Sequence, residues 1–199
     1  MKTRVAGLVV IIVFLASLPV YGGVPLDTVQ VNVNKVFEVL RDPKLKAASA
    51  KEQKIQKLTV IYNAMFDEVE LAKRTLARNW NRLNETQRRE FVHLFHQILE
   101  KAYADRILSY SNEKVVFTKE LPLSSNQVEV QTKIVTASKE VPIYYRMILT
   151  NGTWKVYDVV VENVSLVMNY RTQFNDILAK NSPDQLLQIL RNKLKSQKD

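Results

Sequence analysis

Residues 141–171 read VPIYYRMILTNGTWKVYDVVVENVSLVMNYR and decide the fold of this 199-residue chain. The stretch predicts two strands around a tight turn, followed by a helix. The dipeptide Asn151-Gly152 favours a two-residue type I′ turn, because both central positions of that turn need a positive φ. Such a turn fixes the register of the hairpin. The predicted cross-strand pairs are Leu149 with Trp154, Met147 with Val156, Tyr145 with Asp158, and Ile143 with Val160.

The paired side chains would share one face of the hairpin, and that face is apolar apart from Asp158. The opposite face is also rich in apolar and aromatic residues: Tyr144, Ile148, Tyr157, Val159 and Val161. A hairpin that is apolar on both faces must be covered by helices or must line a space for an apolar ligand. The pattern is compatible with a filled core or with an open cavity.

The chain on either side of the hairpin predicts an α+β fold. Helical periodicity precedes it, and the longest helix begins at the capping box Asn84-x-x-Gln87. Residues 114–121 and 127–136 then alternate like strands. Ser165 and Ser182-Pro183 begin two further helices. The order along the chain is helices, then about four antiparallel strands, then helices again. This order indicates a curved antiparallel sheet with helices packed on one side.

The amino terminus predicts a secretory signal peptide over residues 1–22 that leaves residues 23–199 as a single domain. Lys2 and Arg4 precede an apolar run that is too short to span a bilayer comfortably. An uncleaved anchor is the alternative. Without its signal peptide the chain has a formal net charge of +7 instead of +9, which suggests acidic partners. Export argues against nucleic acid, and the absence of cysteine excludes a lipobox.

Side chains that could carry chemistry are few, and we predict no catalytic residue. His93 and His96 lie three apart on the long helix, but a second ligand-bearing segment is missing, so we predict no metal site. Asp158 on the apolar face needs a hydrogen-bond partner, and Tyr145 is the nearest candidate. Asp158 is therefore either a structural partner of Tyr145 or a cavity acid/base with a raised pKa. Arg171 could hold a phosphate or a carboxylate of the protein itself.

Four segments carry a family resemblance that covers about residues 28–194. They are Phe66-Asp67 with Ala72 and residues 76–80; residues 84–103 (NETQRREFVHLFHQILEKAY); residues 141–146 (VPIYYR); and residues 154–174 (WKVYDVVVENVSLVMNYRTQF). In these segments the chain resembles the MlaC and Ttg2D family of bacterial periplasmic phospholipid-binding proteins. It departs from the family where Asn84-Glu85 replaces Thr-Pro and where Asn163 replaces Gly.

The resemblance implies an NTF2-like or MlaC-like fold in which sheet and helices enclose a deep apolar cavity for the acyl chains of a glycerophospholipid. It implies no catalysis and no cofactor, with bound phospholipid as the ligand. We expect the cavity wall to be lined by large apolar side chains of the long helix, the sheet and the following helix. The candidates are Phe91, Phe95, Leu99, Tyr103, Val130, Ile134, Ile143, Tyr145, Met147, Leu149, Trp154, Val156, Val160, Tyr170 and Phe174.

The resemblance also implies a place of action and a set of partners. These are the periplasm of a Gram-negative bacterium, an inner-membrane ABC transporter complex with its MCE-domain protein, and an outer-membrane lipoprotein–porin complex. We expect a monomer that shuttles lipid and maintains outer-membrane asymmetry, a role linked to toluene tolerance. One alternative is a cavity enzyme of a cone-shaped α+β fold that uses Asp158 as acid/base. The other is an interaction module whose apolar face binds a protein helix.

Overall fold

A computed structural model describes residues 24–110, 113–136 and 138–196. The predicted signal peptide, residues 1–22, lies outside the described residues. The helices are α1 (Val24–Arg41), α2 (Lys51–Met65), α3 (Glu68–Leu76), α4 (Glu85–Leu108), α5 (Leu166–Lys180) and α6 (Pro183–Ser196), with short 3₁₀ turns at Pro43–Leu45, Ala48–Ala50 and Ala77–Arg82. The strands are β1 (Lys114–Ser124), β2 (Gln127–Val135), β3 (Glu140–Thr150), β4 (Thr153–Val161) and β5 (Val164–Ser165).

The strands form one antiparallel sheet in which each strand pairs with its neighbour in sequence, in the order β1-β2-β3-β4-β5. The predicted α+β class is confirmed, and the sheet gains a two-residue fifth strand beyond the expected four. None of the described helices combines the length and apolar character that a bilayer crossing requires.

The β3–β4 hairpin has the predicted turn, and its register then shifts at a bulge. Asn151 and Gly152 have φ of 51° and 75°, and Leu149 pairs with Trp154 as expected. Beyond Met147–Val156 the β4 strand contains one extra residue, Tyr157, so that Arg146 faces Asp158, Tyr145 faces Val159 and Ile143 faces Val161. The predicted pairs Tyr145–Asp158 and Ile143–Val160 are therefore wrong.

Local capping signals place three helix starts where the sequence predicts them. The Asn84 side chain accepts from the Gln87 N–H and the Gln87 side chain accepts from the Asn84 N–H, which completes the capping box. Ser165 Oγ accepts from the Met168 N–H at 3.0 Å and begins α5. Ser182 Oγ accepts from the Gln185 N–H at 3.3 Å and begins α6.

Two apolar clusters fill the molecule. We call the first the helical layer; it unites residues of α3, α4, α5 and α6, and its members are Leu71, Ala72, Leu76, Leu83, Phe91, Leu94, Phe95, Ile98, Leu99, Val167, Tyr170, Phe174, Leu178, Leu186, Leu187, Leu190 and Leu194. We call the second the sheet layer; it joins α1 and the end of α2 to the sheet through Val29, Val33, Met65, Val128, Val130, Met147 and Val156. Phe66 packs against both layers.

Candidate functional site

The sheet layer is a continuous apolar surface, because cross-strand neighbours on one face of the sheet supply it. Val128 pairs with Met147, and Met147 pairs in turn with Val156. Helix α1 covers this surface with Val29 and Val33, which are spaced one helical turn apart and are 0% and 8% exposed. The floor of the layer is therefore closed to water.

The rim of the same layer remains accessible to water. Five of the eight side chains packed around the buried floor are aromatic, and each of the eight is only partly buried: Leu26, Phe37, Phe66, Val115, Phe117, Tyr145, Trp154 and Val159. Helix α4 packs mainly on α3 and α6, not on the sheet. A buried floor with a partly exposed apolar rim is the form expected of a site that admits an apolar ligand.

Tyr145 brings a hydroxyl to this apolar surface. It pairs with Val130 across the β2–β3 ladder, so that both side chains point into the layer. Burial, with a smaller contribution from Tyr110 nearby, raises the pKa of Tyr145 to about 12 against the lowering effect of a hydrogen bond with Thr132. The hydroxyl is therefore protonated at physiological pH and is available as a hydrogen-bond donor.

Glu120 brings a carboxylate to the same face, opposite Val130 on β1. Its Oε2 accepts a hydrogen bond from the Leu26 N–H at 3.1 Å, which holds the first turn of α1 on the sheet. Burial raises the pKa of Glu120 above its ordinary value, the bond from Leu26 lowers it, and Asp27 raises it again. At the other end of α1, Arg41 Nη2 donates to the Glu113 carbonyl at 2.8 Å. Helix α1 is thus hydrogen-bonded to residues of other segments at both of its ends.

The helical layer, by contrast, contains a closed aromatic cluster. Phe95 is 1% exposed and Phe91 is 0% exposed. The ring centroid of Phe95 lies 4.9 Å from that of Tyr170 and 5.4 Å from that of Phe174, both in edge-to-face geometry. Burial, together with a smaller contribution from Tyr103, raises the pKa of Tyr170 to about 12. Packing of this kind leaves no room for a ligand among these rings.

The predicted wall residues thus divide between two places. The structure brings together Val130, Tyr145, Met147, Trp154 and Val156 in the sheet layer. It places another group in or against the helical layer, where they pack on other helices: Phe91, Phe95, Leu99, Tyr103, Tyr170 and Phe174.

The remaining predicted wall residues join neither layer. Ile134 and Val160 are buried outside both, Ile143 is half-buried, and Leu149 is 38% exposed at the end of the hairpin. Sequence reasoning missed the contribution of α1 to the site. The signal was present as Val29 and Val33 at helical spacing, but nothing local shows which surface such a stripe covers.

Asp158 lies in a hydrogen-bonded position between the sheet and α5. Its Oδ1 accepts from the Val167 N–H at 3.0 Å, and its Oδ2 accepts from Ser165 Oγ at 2.6 Å and from Arg146 Nη1 at 3.3 Å. The side chain is 3% exposed. The predicted Tyr145–Asp158 pair is replaced by this set of contacts, because the bulge moves Asp158 off the Tyr145 face. These bonds give Asp158 a structural role and favour no acid/base function.

The bulge residue Tyr157 is itself held from two sides. The guanidinium of Arg74 lies 3.8 Å from the centroid of its ring, and its hydroxyl donates to Gln127 Oε1 at 2.9 Å. Burial raises the pKa of Tyr157, whereas Arg74 and Arg146 lower it. Arg171 donates through Nε to the Arg74 carbonyl at 2.9 Å, so one of its nitrogens is bound to the main chain.

The two histidines occupy different surroundings. His93 is exposed and contacts Gln97 at 3.1 Å. His96 is mostly buried, with Nδ1 2.8 Å from Glu68 Oε1 and its ring edge-on to Tyr62. The described part of the chain contains no cluster of three or more histidine or carboxylate side chains that could hold a metal ion.

The fold and the sheet layer define an α+β protein with an apolar surface beneath helix α1. Comparison with known proteins identifies the group to which it belongs. The family model described as MlaC protein matches residues 30–192, and the chain belongs to the MlaC family.

Named relatives agree with this membership. The chain is 28% identical over 137 residues to the intermembrane phospholipid transport system binding protein MlaC of Haemophilus influenzae, a match that spans 65% of the chain and 64% of that protein. It is 23% identical over 180 residues to the toluene tolerance protein ttg2D of Pseudomonas putida, spanning 89% of the chain and 84% of that protein.

A solved structure supports the fold. The phospholipid-binding protein of Ralstonia solanacearum, determined in complex with a phospholipid, superposes with a TM-score of 0.78 at 21% identity. The match covers 88% of the chain and 99% of that structure. At this level of identity the likeness shows a shared fold.

Proposed function

We propose that this chain is a phospholipid carrier that holds the acyl chains of a glycerophospholipid in the sheet layer. The observation that carries the proposal is the contrast between the closed floor of that layer and its half-buried apolar rim. The names of the two relatives and the phospholipid held by the structural neighbour support the same ligand class.

The physical reason for such a carrier is the cost of exposing hydrocarbon to water. Each CH₂ group that leaves an apolar environment costs about 0.8 kcal/mol, so a free acyl chain crosses water very slowly. A water-soluble apolar layer lowers that barrier without any chemical step. Neither a catalytic residue nor a cofactor is needed, and no described feature favours the alternative of an enzyme that uses Asp158.

We place this carrier in the periplasm of a Gram-negative bacterium, as a monomer. It would shuttle lipid between an inner-membrane ABC transporter complex, with its MCE-domain protein, and an outer-membrane lipoprotein–porin complex. Membership of the MlaC family, the predicted signal peptide and the relatives named for phospholipid transport and toluene tolerance support this placement. The maintenance of outer-membrane lipid asymmetry is the role that follows from it.

The proposal is tested by the mass of what co-purifies. The chain, expressed with its own signal peptide, is purified without detergent and examined by native mass spectrometry and lipid extraction. We expect a stoichiometry close to one phospholipid molecule per protein chain, or a simple fraction of one. A chain that carries no lipid and takes none from liposomes would contradict the proposal, and a co-purifying peptide would favour the interaction module.

A pair of variants locates the site. Val159→Trp adds bulk at the half-buried rim of the sheet layer and is expected to reduce bound phospholipid several-fold. Val164→Trp makes the same chemical change at a position that is 60% exposed, and it should leave lipid content unchanged. Equal lipid content in the two variants would place the ligand elsewhere.

A further inference from the structure

A groove of about 360 Å³ lies between the start of α2 and the end of α4. Neither the family membership nor the sheet layer accounts for it. Basic and small side chains form one wall and the last residues of α4 form the other; the lining residues are Lys46, Ala47, Ala48, Lys51, Lys54, Asp105, Leu108 and Ser109.

The groove carries positive charge that the protein does not neutralise. Residues 43–57 contain five lysines and a single carboxylate, Glu52. Lys51 Nζ lies 3.2 Å from Asp105 Oδ1, in an ion pair that is largely exposed. Within the described residues, Lys46 and Lys54 form no ion pair. Their two ammonium groups therefore face solvent at the groove without a protein counter-charge.

The chemistry of the groove suits a phosphate-bearing headgroup. Lysine is a point charge on a flexible stem and binds phosphate without demanding a fixed geometry. Ala47 and Ala48 have no side-chain bulk beyond a methyl group, so an anion can approach closely. Leu108 adds an apolar contact at the edge. The groove, at about 360 Å³, is larger than one phosphate group and has room for a phospholipid headgroup.

The position of the groove relates it to the sheet layer. Ser109 lines the groove, and the next residue, Tyr110, lies near Tyr145, whose pKa it raises. Since Tyr145 belongs to the rim of the sheet layer, the groove lies toward one end of that layer. A lipid surface held at the groove would therefore be near the apolar rim.

We propose that this groove docks the protein on the anionic phospholipid headgroups of a membrane surface, with Lys46 and Lys54 contacting headgroup phosphate. The docking goes beyond the carrier function, because it needs no lipid inside the sheet layer. Attraction of this kind weakens when salt shortens the screening length from ~10 Å at 0.1 M to ~3 Å at 1 M.

The test is co-flotation of the purified full chain with two kinds of vesicle, phosphatidylcholine alone and phosphatidylcholine with ~30% phosphatidylglycerol. We expect binding to the anionic vesicles that falls with added sodium chloride. Lys46→Gln/Lys54→Gln should weaken the partition coefficient by about tenfold or more. The matched control Lys193→Gln/Lys195→Gln removes the same charge from the end of α6 and should change it less than twofold. Circular dichroism checks that all chains are folded.

The outcomes separate docking from other readings. Equal losses in the two double variants would overturn the proposal, since only net charge would then matter. Equal binding to both vesicles would also overturn the proposal. So would complete displacement of the protein from vesicles by inorganic phosphate when sodium sulfate at the same ionic strength does not displace it, because that result would indicate a site for free phosphate. Failure of docking with normal lipid co-purification would leave the carrier proposal standing, and the reverse result would leave docking standing.

Discussion

The helical layer and the sheet layer contain similar apolar residues but differ in how completely these residues are buried. In the helical layer a group of aromatic rings is fully buried, with Phe91 and Phe95 at 0% and 1% exposure, and only its edge, at Trp80 and Tyr103, is partly exposed. In the sheet layer the buried residues are mainly short aliphatic side chains, while large ones such as Trp154 and Tyr145 are only partly buried at the rim. One layer is closed by its own aromatic rings, and the other is not.

This difference suggests a division of labour. A closed aromatic cluster supplies stability because its central rings, Phe91, Phe95, Tyr170 and Phe174, are removed from water. A layer whose large side chains stay at the rim gives up part of that stability and keeps apolar surface for a ligand. The four predictions below test this division, beginning with the largest expected effect.

Phe95→Ala should lower the free energy of unfolding by about 3–5 kcal/mol, because it leaves a cavity among packed rings. Trp154→Ala removes a larger side chain from the sheet layer, yet should cost less than half as much, because Trp154 is already partly exposed. Urea denaturation followed by circular dichroism measures both. Equal losses would mean that the two layers are packed alike.

Added phospholipid should stabilise the lipid-free chain, because a ligand that binds only the folded state adds about 2.7 kcal/mol at a hundred times its dissociation constant. Phe95→Ala should keep this increment, since its site lies in the other layer. Trp154→Ala should lose part of it. Thermal melts with and without lipid provide the comparison, and a loss confined to Phe95→Ala would assign the ligand to the helical layer.

Asp158→Asn should lower the free energy of unfolding by about 2 kcal/mol, because it removes one of the two carboxylates that pair with Arg146, the other being Glu129, at a buried position between β4 and α5. Glu140→Gln is the control, since its pair with Lys133 is exposed and 2.8 Å long. That change should cost no more than about 0.5 kcal/mol. If the Asp158→Asn chain were as stable as the original and turned over some substrate at a different rate, the result would instead support the alternative of an enzyme that uses Asp158.

Glu120 should give the smallest effect, and one that depends on pH. Because burial raises its pKa, the folded chain binds this proton more tightly than the unfolded chain. Its contribution to stability therefore falls as pH rises from the ordinary value of 4.5 through the raised value. Glu120→Gln should flatten that slope and still accept from the Leu26 N–H.

Glu120→Ala removes the acceptor altogether. Hydrogen exchange of the first turn of α1 should then accelerate, whereas in Glu120→Gln it should stay close to that of the original chain. Stability measured at pH 4.5 and pH 7 completes the comparison. An unchanged exchange rate in Glu120→Ala would show that α1 is held by its apolar contacts alone.

Features with a local cause were predictable from the sequence. The turn at Asn151-Gly152 and the caps at Asn84, Ser165 and Ser182 each depend on residues within three positions of one another. The strand alternation that placed Met147 and Val156 on one face is of the same kind. Such signals survive folding because no distant contact is needed to produce them.

Features that depend on contacts between distant segments were not predictable from the sequence. The bulge at Tyr157 is held by Arg74 and Gln127, which lie 83 and 30 residues away in sequence. Without them nothing marks an extra residue in β4. The stripe of Phe91 and Phe95 showed which face of α4 is buried, but not that it packs on α5 in place of the hairpin.

The meander order of the sheet has a consequence for how the chain folds. Each strand closes onto its neighbour through a hairpin, so the sheet can form from contacts that are short in sequence. The helical layer instead joins distant segments, as in the bonds from Asn79 to Asn175 and from Arg191 to Glu90, separated by 96 and 101 residues. The strands of the sheet should therefore pair early. Helix α1 reaches the sheet through distant contacts such as Leu26 to Glu120, 94 residues apart, so it should dock later, as should the helical layer.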